Sequence, residues 1–437
     1  MSVAELSVIF FAQLAVIIAA CRTVGWLARR YLGQPQVVGE MIAGIILGPS
    51  LFGLFLPEFQ AVIFPEESRG LLYSGAQLGV GLYMFLVGLG FRTGEFRAKA
   101  GSAAAVSLSG IAAPFLIAVV LTPWLMEVPG LFSEAATQLQ ASLFMGAAIA
   151  ITAFPMLARI IHERGLSGTP LGTLSLSSGA IGDAAAWIVL AVVVASFGGG
   201  MGAAWITIAG AIAFTVFMVT FAPRLLAPLG RIVEREGKVS HGVLAVTLVL
   251  FLLAAFAMDA IGIHAVFGGF LLGAVMPRGV FASEVRRMLE PVAVVLFLPM
   301  FFTYSGLHTQ LTLVNSPDLI IVAIAVLAAS VLAKFGACWA AARLTGQDNA
   351  TALGIGALMN ARGLMELIII NIALQAGIIG PSLFSILVVM AVATTLMATP
   401  LFEWVYGRKA RQAGRLGALE EGGGADPVPS EKKQLAE

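Results

Sequence analysis

The chain has 437 residues, 59% of them hydrophobic and 11% charged, with a mean hydropathy of +0.96. A soluble protein runs near a quarter charged, so this composition argues against an ordinary globular enzyme. The net charge of +1 gives no reason to expect nucleic acid or an acidic partner. The two cysteines, Cys21 and Cys338, lie far apart in apolar segments, and they build neither a disulfide framework nor a metal cluster.

Apolar stretches of about 20 residues recur from end to end, which makes this an all-α polytopic membrane protein. Windows of roughly 19 residues predict thirteen spans. They fall near 5–28, 37–55, 71–91, 102–126, 141–161, 171–197, 204–226, 242–259, 262–277, 291–307, 318–343, 350–377 and 382–405. The first lacks a basic leader and a clear cleavage site, so it reads as a membrane helix and not as a removable signal.

With the N-terminus outside, the inner loops carry Arg29, Arg30, Arg92, Arg97, Lys99, Arg164, Arg224, Arg231, Arg278, Arg286, Arg343 and Arg408. The outer loops then hold Glu58, Glu66, Glu67, Glu127, Glu134 and Asp318, with Arg69 as their one basic residue. Twelve spans would spoil this asymmetry; thirteen, with the C-terminus cytoplasmic, satisfy the positive-inside rule. The expected organisation is one membrane domain over 1–410. It divides into a first repeat (5–197), a linker helix (204–226) and a second repeat (242–405). Residues 411–437, rich in Gly, Glu, Lys and Pro, are expected to form a disordered cytoplasmic tail.

The fifth span of each half is interrupted inside, at Thr152-Ala153-Phe154-Pro155 in the first and at Asn360-Ala361-Arg362-Gly363 in the second. Paired breaks at matching positions point to an inverted-repeat transporter whose site lies at the bilayer midplane. If the breaks cross, unlike helix ends face one another, and buried Asp or Arg side chains compensate them. Thr152 and Asn360 then offer neutral oxygens at the same depth, suited to a dehydrated monovalent cation.

An ionised group at mid-bilayer costs about 2.5–3.5 kcal/mol on insertion scales, so the few buried charges matter. Asp183 sits halfway along the sixth span in SLSSGAIGDAAAWIVLA, among small neighbours and with no basic residue within a turn. It reads as a titrating carboxylate in preference to a protonated, purely structural one. Ser178, just before it, is a candidate for polar lining. Lys334 lies too deep to snorkel, so its amine loses its proton or finds a carboxylate, or else serves as a structural counter-charge. Arg362 and Glu366, spaced i,i+4, share a helix face and can neutralise one another. His264 has a near-neutral side chain suited to carrying protons, though a lone histidine on an apolar helix more often packs. Walker A, HExxH and nucleophile-elbow patterns are all missing, so neither direct ATP drive nor an enzyme is expected.

These residues resemble the monovalent cation:proton antiporter-2 family, its plant cation/H⁺ exchanger branch in particular. The matching segments include QPQVVGEMIAGIILGPSLFG (34–53), ITAFPMLARII (151–161), GAIGDAAAWIVLA (179–191), GIHAVFGGFLLGAVMP (262–277) and MNARGLMELIIINIAL (359–374). The resemblance covers nearly all of the membrane part. It implies a homodimer of the sodium/proton-antiporter fold, with a dimerisation domain and a mobile core carrying two crossed discontinuous helices. Asp183 matches the aspartate that binds cation and proton in turn, and Thr152 the polar position of the first break. Lys334 looks like the family's lysine near the site, and Arg362 and Glu366 match an RGxxE pattern. One position departs: the residue before the aspartate is Asp in electrogenic relatives and Asn or Gln in many others, but here it is Gly182. A single carboxylate implies one proton per cation, whereas the retained lysine accompanies the two-aspartate site in relatives.

The function expected is therefore secondary antiport of Na⁺ or K⁺ against H⁺ in the cell (inner) membrane, with no cofactor and no metal beyond the transported ion. A monovalent cation channel and a sodium-coupled organic-anion symporter of the same fold are the alternatives.

Overall fold

The computed structural model describes residues 2–90, 93–134, 136–194, 201–262, 265–308, 316–363, 366, 369–370, 373–374 and 377–412. Helices account for nearly all of them. The helices before the first break are α1 (Val3–Leu32), α2 (Gln36–Leu47), α3 (Phe52–Phe55), α4 (Pro57–Ile63), α5 (Arg69–Gly90), α6 (Thr93–Glu127) and α7 (Gln138–Ala150). After it come α8 (Phe154–Glu163), α9 (Pro170–Val194), α10 (Met201–Thr220), α11 (Ala222–Glu236), α12 (His241–Ala260), α13 (Ala265–Val275), α14 (Val280–Val292) and α15 (Leu298–Leu307). The last are α16 (Pro317–Leu344), α17 (Asn349–Leu358), α18 (Pro381–Phe402) and α19 (Arg408–Gln412). Among the described residues, extended pairing is limited to a bridge between Phe132 and Ile379.

Local chemistry sets many of the ends. Ser2 and Glu5 form a capping box on α1, and Thr137 and Gln140 another on α7, each satisfying amides that a helix start leaves free. Ser240, Ser316 and Asp348 accept first-turn amides of α12, α16 and α17. The span predicted over 37–55 is present as the apolar run Gln36–Phe55, broken within by the end of α2 at Leu47. The reason is local: Gly48 precedes Pro49, whose ring drives it into extended backbone (φ −77°, ψ −178°).

Among the described residues, helix occurs within each of the thirteen predicted segments. Eight helical runs among the described residues are long and apolar enough to cross a membrane, and α10 with α11, bent by 43°, makes a ninth. α7, α13 and α17 are shorter apolar helices. Large apolar side chains such as Val120, Phe256 and Leu332 face outward on the long helices, as lipid-facing surfaces do.

The helices pack as two sets. One contains α1, α2, α5, α12, α13, α14 and α15; the other contains α6, α7, α9, α16, α17 and α18. α8 belongs with α9 but also touches α2 and α5. Inside the first set the backbones meet closely. A side chain at Gly44 of α2 would strike the Phe302 carbonyl of α15 at 2.2 Å, and one at Gly306 would strike the Gly44 carbonyl at 2.0 Å. Between the sets lies a small apolar cavity of about 30 Å³, with Met41 and Phe302 on one side and Met156, Gly363 and Ala391 on the other.

Candidate functional site: two crossed helix breaks beside a buried aspartate

The chain leaves helical geometry at 151–153 and again at 361–363. The two unwound segments touch: the Ala153 amide donates to the Ala361 carbonyl at 3.0 Å. The Thr152 hydroxyl donates to the Met359 carbonyl at 2.9 Å. Backbone groups freed by the breaks therefore satisfy one another, which irregular backbone inside a bilayer requires.

The end of α7 presents carbonyls with no partner in their own helix. Arg362 Nη1 donates to the Ala148 carbonyl at 2.7 Å and Nη2 to the Ile149 carbonyl at 2.5 Å. Lys334, reaching in from α16, donates to the next carbonyl, that of Ala150. Two cations thus cap the negative end of one half-helix, where each is electrostatically favoured. Arg362 also donates to Ser330 Oγ and pairs with Glu366 at 3.2 Å, and both partners of that ion pair are fully buried. Thr395 of α18 accepts the Arg362 amide at 2.9 Å and fixes the second break from outside. The compensation expected of the crossing comes from Arg362 and Lys334. Lys334 donates to one helix-end carbonyl, that of Ala150, and no ion pair joins it to Asp183 among the described residues.

Asp183 lies on α9 and is 1% exposed, and neither carboxylate oxygen has a hydrogen-bond partner among the described residues. One turn earlier, on the same face, Gly179 packs so tightly that a side chain there would meet Leu157 at 2.7 Å and Phe154 at 3.3 Å. Asp183 therefore stands one helical turn from the contact between α9 and the start of α8. Asn360, buried in the second break, donates from Nδ2 to the Gly356 carbonyl at 2.9 Å, which leaves its Oδ1 without a partner. Ser178 is buried with an unpartnered hydroxyl. It sits about 140° round α9 from Asp183, on another face. His264 lies outside the described residues.

Among the described residues, no group of His, Cys, Asp and Glu has the arrangement of a metal site. The chemistry available here is an unpaired carboxylate, neutral oxygens in unwound backbone and fixed cations holding the scaffold. That combination can bind a proton or a small monovalent cation.

A second charged cluster escaped the sequence reading. Glu40 of α2 is fully buried, with Gln36 donating to its Oε1 at 3.0 Å and Arg22 of α1 at 3.9 Å. Across the interface, α8 carries the Arg159–Glu163 pair at 2.5 Å, and the Val37 amide donates to Glu163 at 3.4 Å. Arg164 donates to the Gly33 carbonyl at 2.5 Å and to Glu403 at 3.0 Å, while Gln34 donates to the Leu396 carbonyl at 3.3 Å. One end of the interface between the helix sets is thus clasped by polar contacts around the α1–α2 turn. Burial, with Arg411 adding to it, pushes the Arg164 guanidinium down to about 10, so it stays cationic at neutral pH. A signal for Glu40 was present: it is an acid only four residues inside an apolar segment.

The family described as sodium/hydrogen exchanger, transmembrane, matches residues 10–406. The Na⁺/H⁺ antiporter NhaS4 of Synechocystis sp. is 38% identical over 405 residues, covering 91% of this chain and 97% of that protein. Cation/H⁺ antiporter 17 of Arabidopsis thaliana is 34% identical over 90% of this chain, which spans 48% of that relative's length. In structure, the sodium proton antiporter MjNhaP1 of Methanocaldococcus jannaschii matches with a TM-score of 0.53 at 13% identity, covering 94% of this chain and 98% of that one. The chain therefore belongs to the sodium/hydrogen exchanger transmembrane family and is a multi-pass membrane protein with the sodium/proton-antiporter fold.

Proposed function

We propose that Asp183 is the exchange site, binding a proton or one monovalent cation, Na⁺ or K⁺, in turn. The observation that carries this reading is a buried carboxylate with neither oxygen partnered among the described residues, one helical turn from the point where α9 packs on the start of α8 at the first break. An ionised carboxylate left bare at that depth costs several kcal/mol, so each state of the cycle supplies it with a proton or a cation. One occupant at a time makes the exchange obligatory. Thr152 and the Asn360 Oδ1 are the neutral oxygens that share the cation, and Lys334, Arg362 and Glu366 hold the frame. Gly182 adds no second carboxylate and Lys334 is engaged with Ala150, which favours one proton per cation and no net charge moved.

Alternating access follows from the two helix sets. The set carrying both breaks slides against the other along the apolar cavity, and the polar clasp at the α1–α2 turn opens and closes. The first repeat (5–197) and second repeat (242–405) supply one half-site each, joined by the linker helix and followed by a cytoplasmic tail. The protein works as a homodimer in the cell membrane, N-terminus outside. Curated relatives bear names specifying Na⁺/H⁺ and K⁺/H⁺ exchange, which supports both cations as candidates.

The test is cation-induced proton movement in proteoliposomes. Wild-type protein is expected to move protons only with Na⁺ or K⁺ present, and Asp183→Asn to abolish the flux while remaining folded. Flux in Asp183→Asn would overturn the assignment, and cation flux without proton coupling would mark a channel or a symporter.

A further inference from the structure

Gly182, next to Asp183 in the chain and about 100° round α9 from it, leaves room on its own face, and Ser107 occupies that room. A methyl group at residue 182 would lie 3.2 Å from Ser107 Oγ, the one described atom within 4 Å apart from its own helix backbone and chain neighbours. Ser107 belongs to α6 and is 1% exposed, and its hydroxyl has no hydrogen-bond partner among the described residues. Serines and threonines within helices ordinarily return the hydroxyl to a carbonyl one turn back. Ser74, Thr247, Ser385 and Thr394 do so in this chain, and Ser107 does not. Thr122, Ser175, Ser177, Ser178 and Thr399 are also buried with unpartnered hydroxyls among the described residues; Ser107 is set apart by its place against Gly182, the residue next to Asp183.

The helix that carries Ser107 is anchored at this depth. Cys338 of α16 donates to the Val106 carbonyl at 3.7 Å, and a side chain at Gly110 would meet the Cys338 sulfur at 2.8 Å. Lys334 sits one turn before Cys338 on α16. Ser107 therefore stands on the helix wedged between the helix of Asp183 and the helix of Lys334, with its oxygen at the residue adjacent to the aspartate. A larger residue at 182 would fill this space with its own side chain; glycine hands the space to Ser107.

We infer that Ser107 is a cation ligand, its hydroxyl oxygen sharing a partly dehydrated monovalent cation with the Asp183 carboxylate. The inference rests on the reading of Asp183 as the exchange site. A hydroxyl adds an oxygen without adding charge, so it strengthens cation binding while leaving one titrating acid and the one-for-one exchange intact. It also places a determinant of Na⁺ against K⁺ preference on α6, outside both broken helices.

The experiment compares full-length wild type, Asp183→Asn, Ser107→Ala, Ser107→Thr and Gly182→Ala in proteoliposomes, with Na⁺ and K⁺ titrated separately. Ser107→Ala is expected to raise the cation KM by about five- to tenfold with Vmax within about twofold, the size of one lost neutral ligand. Ser107→Thr keeps the oxygen and should stay near wild type. Gly182→Ala pushes a methyl toward the hydroxyl and should raise KM in the same sense, which carries the test should Ser107→Ala fold poorly. Unchanged KM in Ser107→Ala or in a folded Gly182→Ala, with Asp183→Asn inactive, would remove Ser107 from the site and leave Asp183 in it. A fall in Vmax alone would mark a structural serine and overturn the inference. Flux surviving Asp183→Asn would overturn both.

Discussion

Thr152 shows how one side chain carries structure and site together. Its hydroxyl donates to the Met359 carbonyl, so the atom that ties the two breaks also presents lone pairs at the crossing. Thr152→Val removes that bond and is expected to cost about 0.5–1.5 kcal/mol of stability and to weaken cation affinity several-fold. Thr152→Ser should preserve both. Thermal unfolding in detergent and the cation KM check the pair, and an unchanged KM in the valine variant would take Thr152 out of the site. At this scale Asp183 was legible in the sequence because an acid amid small residues halfway along a span has few structural excuses. Ser107 was not legible: a serine in a membrane helix carries no signal until the space above Gly182 and the missing partner of its hydroxyl are both visible. Glu40 lay inside an apolar segment but near its start, which made its signal weaker than that of Asp183 at mid-span.

The broken helices are the element that the sequence reading located and the structure completes. Thr-Ala-Phe-Pro and Asn-Ala-Arg-Gly mark where helical hydrogen bonding stops, but not what becomes of the freed groups. Three consecutive carbonyls at the end of α7 go to Arg362 and Lys334, a pairing across more than a hundred residues that no local pattern encodes. The i,i+4 spacing of Arg362 and Glu366 suggested mutual neutralisation; the pair forms, yet most of the guanidinium is spent on α7 and Ser330. Arg362→Met would strand those carbonyls and leave the buried Glu366 without its cation. The expected cost is about 3–5 kcal/mol, read as a lowered unfolding temperature, with Arg362→Lys recovering part of it. Near-normal stability in Arg362→Met would mean that the cap is dispensable. Element ends were less legible than element identities, as the early stop of α2 at Leu47 before Gly48-Pro49 shows.

On the scale of the whole molecule, the proposed exchange at Asp183 relies on the division into two helix sets. Close glycine contacts such as Gly44 on α15 lock the first set, whereas the boundary between the sets is an apolar cavity clasped at one end by Glu163, Arg164 and Gln34. Hydropathy and the distribution of arginine made the membrane class legible, but the partition into sets depends on which faces pack, and these helices are apolar nearly all round. In the proposed exchange, proton and cation compete for one carboxylate, and this fixes the sign of the pH dependence. As pH falls, protons occupy more of Asp183, so more cation is needed to displace them, while saturating cation restores the full rate. The most direct measurement is therefore the cation KM and Vmax of exchange in proteoliposomes across pH, wild type beside Asp183→Asn. Competition at Asp183 gives a KM that rises toward about tenfold per pH unit on the acid side with Vmax nearly constant, and no exchange in the variant. A Vmax that falls with pH at constant KM, or exchange that persists without the Asp183 carboxylate, would contradict it.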